Sequence, residues 1–297
     1  MLKVGLIGLG EIAKHHKLGL EKSAVLELVS VCDRNPKAAA RNLFPGLPFY
    51  TDSHEMIERE PLDIVVIATP PETHTSLIQD CIRHGIFALS EKPLDTSWDN
   101  CLKLLPNINK SVDIIYHWMF SQEVLWFKRC IRLRKIQKIV IAVSDPYADA
   151  NGNIDPEKRA LGGSWIDSGV NVLSMLSLWV DIRRIKSLDI CHERDASCGI
   201  PYHTQAVSKE GDLPEIVLDI RWDCGVNFKQ TRIVTEKHTY ILNHTQQAVF
   251  RDDEEIFRDN SISRLDRHYY NFYTLYPSSL IPGKTSTRIH ELIFKNL

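Results

Sequence analysis

The chain has 297 residues, 43% of them hydrophobic and 25% charged, with a formal net charge of -2. That length predicts one large or two moderate domains, and the composition is that of an ordinary globular protein with ample core. The near-neutral balance gives no pull toward nucleic acid or an anionic membrane, and no apolar run approaches the ~20 residues of a membrane-spanning helix.

In chain order, "KVGLIGLGEIA" opens as a short β-run, Val4 to Ile7, and then sets Gly8, Gly10 and Ala13 in a GxGxxA pattern. The apolar start lacks a small-residue cleavage site and is needed as a strand, so it is not read as a secretory signal. Gly8 serves the tight turn, Gly10 the approach of a pyrophosphate, and Ala13 the close packing of a helix on the sheet. The start of that helix, with Glu11 and Ile12, aims its amides at the phosphates. The next residues of note, His15 and His16, read as solvent-facing. A second strand, "LELVSVCD", ends in Asp33, about 20 residues on, where a carboxylate accepts hydrogen bonds from an adenosine ribose. Arg34 beside it suits a 2′-phosphate, so NAD is expected and NADP is the alternative. The strand "DIVVIATPP", a helix over Thr73 to His84, the strand "IFALSEKP" and the strand "VDIIYH" complete a βαβ alternation. This predicts a Rossmann-type doubly wound parallel sheet over residues 1–118.

After His117 the pattern changes. A basic helix carrying "KRCIRLRK" (Lys128 to Lys135) as a solvated face leads to "KIVIAVSD" and a polar loop, Asp145 to Gly163. A largely apolar helix follows. Then "EIVLDIRWD", "VNFKQTRIV", "HTYILNH" and "QAVFRD", separated by turn signals, predict antiparallel hairpins. "RDDEE" (Arg251 to Glu255) is a solvated turn, and "RLDRHYYNFYTLY" a closing aromatic helix. Residues 119–297 are thus expected to form a second α/β domain with a large, open, mainly antiparallel sheet. The seven cysteines are scattered, odd in number and without a CxxC pair; they read as free thiols of a reducing cytoplasm. No His/Asp/Glu cluster shows metal-ligand spacing.

Gly8, Gly10 and Ala13, then Ala68-Thr69-Pro70, His74, Gly85, Glu91-Lys92-Pro93 and the later "GGSWIDSG" together resemble the Gfo/Idh/MocA family of dinucleotide-dependent oxidoreductases. The resemblance is close over residues 1–180 and is only architectural beyond. It implies a second domain whose sheet forms a homodimer or higher interface. It also implies a lysine, here Lys92, beside the nicotinamide, a cis bond before Pro93, and Thr69, Pro70, His74 and Glu91 around the cofactor. The residues agree: Lys92 is a cation just past the carboxyl end of a parallel strand, where open α/β sheets bind ligands and where an ammonium stabilises a developing alkoxide.

The stretch "ALGGSWIDSGVNVLSMLSLWV", Ala160 to Val180, reads as a helix with two polar groups at its mouth one turn apart, Asp167 and Asn171, before an apolar remainder. Members of the family usually place a histidine where Asn171 stands. An Asp-x-Gly-x-Asn segment is similar to that of the L-arabinose and D-galactose 1-dehydrogenase branch, which implies oxidation of the anomeric hydroxyl of a sugar to a lactone with NAD(P)⁺. Asp167 would then be the base or would orient Lys92, and Asn171 would grip a sugar hydroxyl. His117 would line the nicotinamide side, and Trp165 with the Asp145–Arg159 loop would wall the sugar pocket. Loss of the histidine leaves a second reading, a regulator that binds nucleotide and sugar without turnover. A carbonyl reductase running the reverse reaction is a third.

Overall fold

The computed structural model describes residues 1–41 and 43–297. The chain forms two compact units, Met1–His117 with His268–Ser286, and Trp118–Arg267 with Thr287–Leu297. The second domain expected over residues 119–297 is thus interrupted: residues 268–286 pack within the first unit.

In the first unit, β1 (Leu2–Ile7), β2 (Leu26–Cys32), β3 (Phe49–Tyr50), β4 (Ile64–Ile67), β5 (Phe87–Glu91) and β6 (Val112–Ile115) make one sheet. Its order is β3-β2-β1-β4-β5-β6 and every pair is parallel. The helices are α1 (Ala13–Glu21), α2 (Ser53–Arg59), α3 (His74–Arg83) and α4 (Trp98–Leu104). Strands β4 and β6 are buried at every residue, which is why β4 runs apolar and β-branched without alternation; β6 departs from this only at the buried Asp113. The connections leave β1 in opposite directions, toward β2 and toward β4. Such a switch point opens a crevice at the carboxyl ends of these strands.

The second unit begins with α5 (Gln122–Cys130) and β7 (Ile136–Ser144), followed by α6 (Ser164–Leu176). Strands β8 (Asp189–Arg194), β9 (Pro201–Ser208), β10 (Glu215–Arg221), β11 (Phe228–Thr235), β12 (Thr239–Asn243), β13 (Ala248–Arg251) and β14 (Glu254–Arg258) follow. They join β7 in the order β14-β13-β12-β11-β7-β10-β9-β8. Only β7 with β10 is parallel, so the sheet is mainly antiparallel as expected. Burial alternates along β10, and α6 lies on β9 and β10. Helices α7 (Arg264–Leu275) and α8 (Gly283–Phe294) end the chain.

The basic helix is shorter than its charge pattern suggests. It stops at Cys130, Ile131 is extended, and Lys135 takes φ 50° at the turn into β7. Asp252 and Asp253 form the expected turn at positive φ. All seven cysteines are free, and burial pushes the thiols of Cys32, Cys81 and Cys101 up to about 12, leaving them inert. No helix among the described residues is long and apolar enough to cross a membrane.

Candidate active site

At the carboxyl edge of β1, β2 and β4 lies a cavity of about 440 Å³ whose walls include Gly8, Gly10, Asp33, Arg34, Thr51, Ser53, Thr69, Pro70, Thr73, Ser76 and Leu77. Gly8 holds φ 97°, and a Cβ there would stand 2.5 Å from the Ala68 carbonyl oxygen, so the turn accepts only glycine. At Gly10 a Cβ would meet nothing within 4 Å; the space it would fill faces the cavity. No side chain caps the first turn of α1, though the Ala13 and His15 amides there already donate to the Gly10 and Ile12 carbonyls. Asp33 is already oriented, with Oδ2 accepting from Leu9 N and Oδ1 from Asn35 N, both at 2.8 Å. Each oxygen keeps a lone pair for a ribose hydroxyl. A dinucleotide fits these walls. Thr51, Ser53, Ser76 and Leu77 belong to no motif, and no local signal announced them. Glu11, Ile12, His74, Glu91 and Lys92 are not among the cavity walls.

His74 is buried between two backbone carbonyls, with Nε2 2.9 Å from Thr69 O and Nδ1 2.9 Å from Pro93 O. Burial lowers its pKa against the pull of those carbonyls. It ties the Thr69 turn to the Lys92–Pro93 segment, whose peptide bond is cis. Glu91 is held still more firmly. Its Oε1 accepts from the Tyr269 hydroxyl at 2.5 Å and stands 3.3 Å from His16 Nε2. Oε2 accepts from Lys92 N at 3.3 Å. Burial alone would raise the Glu91 carboxyl; His16, Tyr269 and the Lys92 charge outweigh it and hold the group below the usual carboxylate range. Lys92 itself is half-buried.

This network departs from the sequence reading of α1. His15 and His16 are both buried, not solvent-facing, because α7 covers them. His16 Nδ1 is 2.6 Å from Tyr273 Oη. His117 stacks on Tyr269 with ring centroids 5.2 Å apart, and its Nδ1 lies 3.0 Å from that of His268. Neutral rings make this contact only as one donor and one acceptor. Tyr269, Tyr273 and His268 are therefore partners of the candidate residues that the linear sequence did not single out.

In the second unit, Asp167 and Asn171 lie on α6, 8% and 2% exposed. The Asn171 Oδ1 is buried without a hydrogen-bond partner among the described residues. Trp165 is fully buried and its indole N–H donates to Ile293 O at 3.0 Å; it packs α6 against the end of α8. Of the loop aspartates, Asp149 accepts from Asn151 N and Asn153 N, and Asp155 caps the following turn. Asp145 points inward. It pairs with Lys229 Nζ at 2.5 Å and accepts from Ser168 Oγ at 3.2 Å and Asn227 Nδ2 at 3.1 Å. Burial lowers the Lys229 pKa, opposed by Asp145, and the ammonium also lies 5.5 Å from the Trp118 ring centre. Burial with the charges of Asp145 and Asp167 pushes the Tyr147 phenol up to about 12. Asp167 thus sits at the edge of a buried, charged cluster.

Comparison with known proteins agrees with this geometry. Residues 2–116 match the GFO_IDH_MocA profile, described as "Oxidoreductase family, NAD-binding Rossmann fold". The chain is 28% identical over 181 residues to an inositol 2-dehydrogenase of Rhizobium meliloti (strain 1021), covering 59% of this chain and 53% of that protein. It is 29% identical over 223 residues to the rhizopine catabolism protein MocA of Rhizobium meliloti, covering 73% and 67%. The aligned part thus spans only about half the length of the first relative. In three dimensions it resembles a crystal structure described as a putative myo-inositol dehydrogenase from Sinorhizobium meliloti 1021, with TM-score 0.78, 18% identity and coverage of 100% and 96%. Two of these three carry inositol names, and none carries that of an arabinose or galactose dehydrogenase.

Proposed function

We propose that this chain, whose residues 2–116 match the Gfo/Idh/MocA family model with its NAD-binding Rossmann fold, is an oxidoreductase of that family that oxidises one ring carbinol of a polyhydroxylated substrate, an aldose or a cyclic polyol. The observation that carries this reading is the pairing of a ribose-ready Asp33 in a glycine-lined cavity with a Lys92 whose backbone is pinned by a buried, fully engaged Glu91.

Bound NAD⁺ supplies the hydride acceptor; everything else falls to the protein. Gly8 and Gly10 admit the pyrophosphate, and Asp33 takes the ribose hydroxyls, favouring NAD; Arg34 provides a route to NADP. The Lys92 ammonium donates to the reacting oxygen and stabilises its charge as the proton leaves. Asp167 accepts that proton, or orients Lys92, and the Asn171 Oδ1 accepts from a neighbouring hydroxyl. The finer assignment is C1 of an aldose, giving a lactone. An anomeric hydroxyl is more acidic than an ordinary alcohol, so in this reading a carboxylate suffices where the family pattern implies a histidine. The inositol names of the relatives support a ring carbinol flanked by hydroxyls. His117, stacked on Tyr269, is assigned to substrate orientation. Trp165, with its indole satisfied inside the unit, is left to packing. Self-association through the open sheet of the second unit belongs to the same proposal.

The test is absorbance of reduced nicotinamide with NAD⁺ or NADP⁺ across aldoses, inositols and sugar acids. Turnover with one of them, abolished in Lys92→Ala while NAD⁺ still quenches protein fluorescence, is the expected result. Turnover unchanged in Lys92→Ala would sink the assignment. Asn171 in place of histidine favours a second reading, a regulator; nucleotide binding with silence across the whole panel would select it.

A further inference from the structure

The linear sequence shows no metal-ligand spacing, yet the fold gathers His54, Glu58 and His84 on the surface of the first unit, and one donor atom from each lies within 4.8 Å of the others. His54 and Glu58 are one turn apart on α2; His84 caps the end of α3. Glu58 and His84 also border a hollow at the amino edge of β4 and β5, with Leu62, Asp63 and Ile86. That is the end of the sheet opposite the cofactor cavity.

The arrangement behind these groups sets the cluster apart from ordinary surface pairs. His84 Nδ1 donates to the Asp80 carbonyl at 2.9 Å, which fixes its proton there and leaves the Nε2 lone pair outward. The Asp80 carboxylate stands 3.4 Å from the Nδ1 atoms of both His54 and His84. Asp80 is itself buried and is held by Arg83 at 3.0 Å. One anchored carboxylate behind two imidazoles is how proteins set the tautomer and angle of metal-binding histidines. With Nδ1 facing the Asp80 carboxylate, His54 presents Nε2, and this atom lies 3.3 Å from Glu58 Oε1. That is roughly the edge of a tetrahedron whose metal bonds are about 2.0–2.1 Å.

We propose that His54, Glu58 and His84 bind one borderline divalent cation of the Zn²⁺ class, with Asp80 as the orienting group and water completing the coordination. Two imidazoles and one carboxylate select Zn²⁺ or its late transition-metal neighbours over Mg²⁺ and Ca²⁺. The ion staples α2 to α3, the two helices that bring Ser53, Ser76 and Leu77 to the cofactor cavity.

The experiment uses the whole, untagged chain after chelator treatment. Co²⁺ is titrated by visible absorption, Zn²⁺ by calorimetry, and thermal unfolding is followed with and without Zn²⁺. One saturable equivalent and a Zn²⁺-dependent rise in Tm are expected. Both should vanish in the His54→Ala, His84→Ala double variant, with affinity falling at least about 100-fold. Asp80→Asn should weaken binding by about 10–100-fold, as outer-shell changes do. The His54 side chain is 54% and the His84 side chain 30% exposed, so the double variant keeps its fold, as circular dichroism would verify. No saturable step in the unaltered chain, or a loss of less than about tenfold in the double variant, overturns the proposal.

Discussion

Replacing Tyr269 by Phe probes how the corner that carries Lys92 is held. The phenol donates to Glu91 Oε1 at 2.5 Å, and the two residues are 0% and 7% exposed. A hydrogen bond to an ionised group contributes about 1.5–3 kcal/mol. Tyr269→Phe should therefore lower the unfolding free energy by about 2 kcal/mol at pH 7, roughly thirtyfold in the folding equilibrium. The loss carries a pH signature. Glu91 is held below its ordinary value when folded, so it adds stability that is present above the unfolded pKa near 4.3 and disappears as the pH falls through the folded value. Part of that depression comes from Tyr269. The gap between wild type and variant should be full above about pH 5.5 and narrow below about pH 4. Urea unfolding followed by tryptophan fluorescence at both pH values measures it. A gap under about 0.5 kcal/mol at pH 7, or one that persists undiminished in acid, would refute the reasoning. Tyr269 is not a wall of the cofactor cavity, so kcat should fall while NAD⁺ affinity holds.

Asp145→Ala strands the Lys229 charge, with side chains only 3% and 9% exposed in the pair. Losing one partner of such a pair costs about 3–5 kcal/mol; denaturant melts should show this, with Asp145→Ala, Lys229→Met recovering most of it, and an unaltered single variant would remove the pair from the account of the second unit. Asp113 on β6 is raised to about 6, first by burial. A raised acid binds more protons folded than unfolded between about pH 4 and 6, so its contribution falls as the pH rises through that window. Asp113→Asn should remove this decline, worth up to about 3 kcal/mol, and a slope unchanged in unfolding between pH 4 and 7 would contradict it. Gly8→Ala drives a Cβ into the Ala68 carbonyl at 2.5 Å, so NAD⁺ quenching should be lost, and wild-type affinity would show that the turn can move.

The first unit's strands were legible because burial on both faces leaves a local trace. The "IVVI" of β4 is buried at every position and cannot be written with polar residues. Strand β8, "DICHER", has only half-buried or exposed positions at the edge of its sheet, and so lacks an apolar signal. Helix α8 opens "GKTST", a poor helix start by propensity. Its apolar Ile289, Leu292 and Ile293 acquire meaning only from the core they fill.

The candidate site divides along the same line. Gly8, Gly10 and Asp33 work through backbone turns and strand ends, so about 25 residues of sequence contain the whole device. Glu91 works through Tyr269, 178 residues away, and His117 through His268, 151 away. Local polarity misleads there: "KHHK" on α1 looks solvated, yet His16 is 0% exposed. A histidine can be buried when polar partners repay its desolvation; here these are the Tyr273 hydroxyl at Nδ1 and the Glu91 carboxylate 3.3 Å from Nε2. α7 makes such burial possible by packing so closely on α1 that a Cβ on Gly19 would stand 2.4 Å from the Tyr273 ring. Gly19 was thus the one local mark of that contact, a glycine inside a helix where Ala would be favoured by about 1 kcal/mol. The His54–Glu58–His84 cluster follows the same logic at the surface. Two residues one turn apart on α2 are no signal by themselves, and only the fold brings His84 and the Asp80 carboxylate to them.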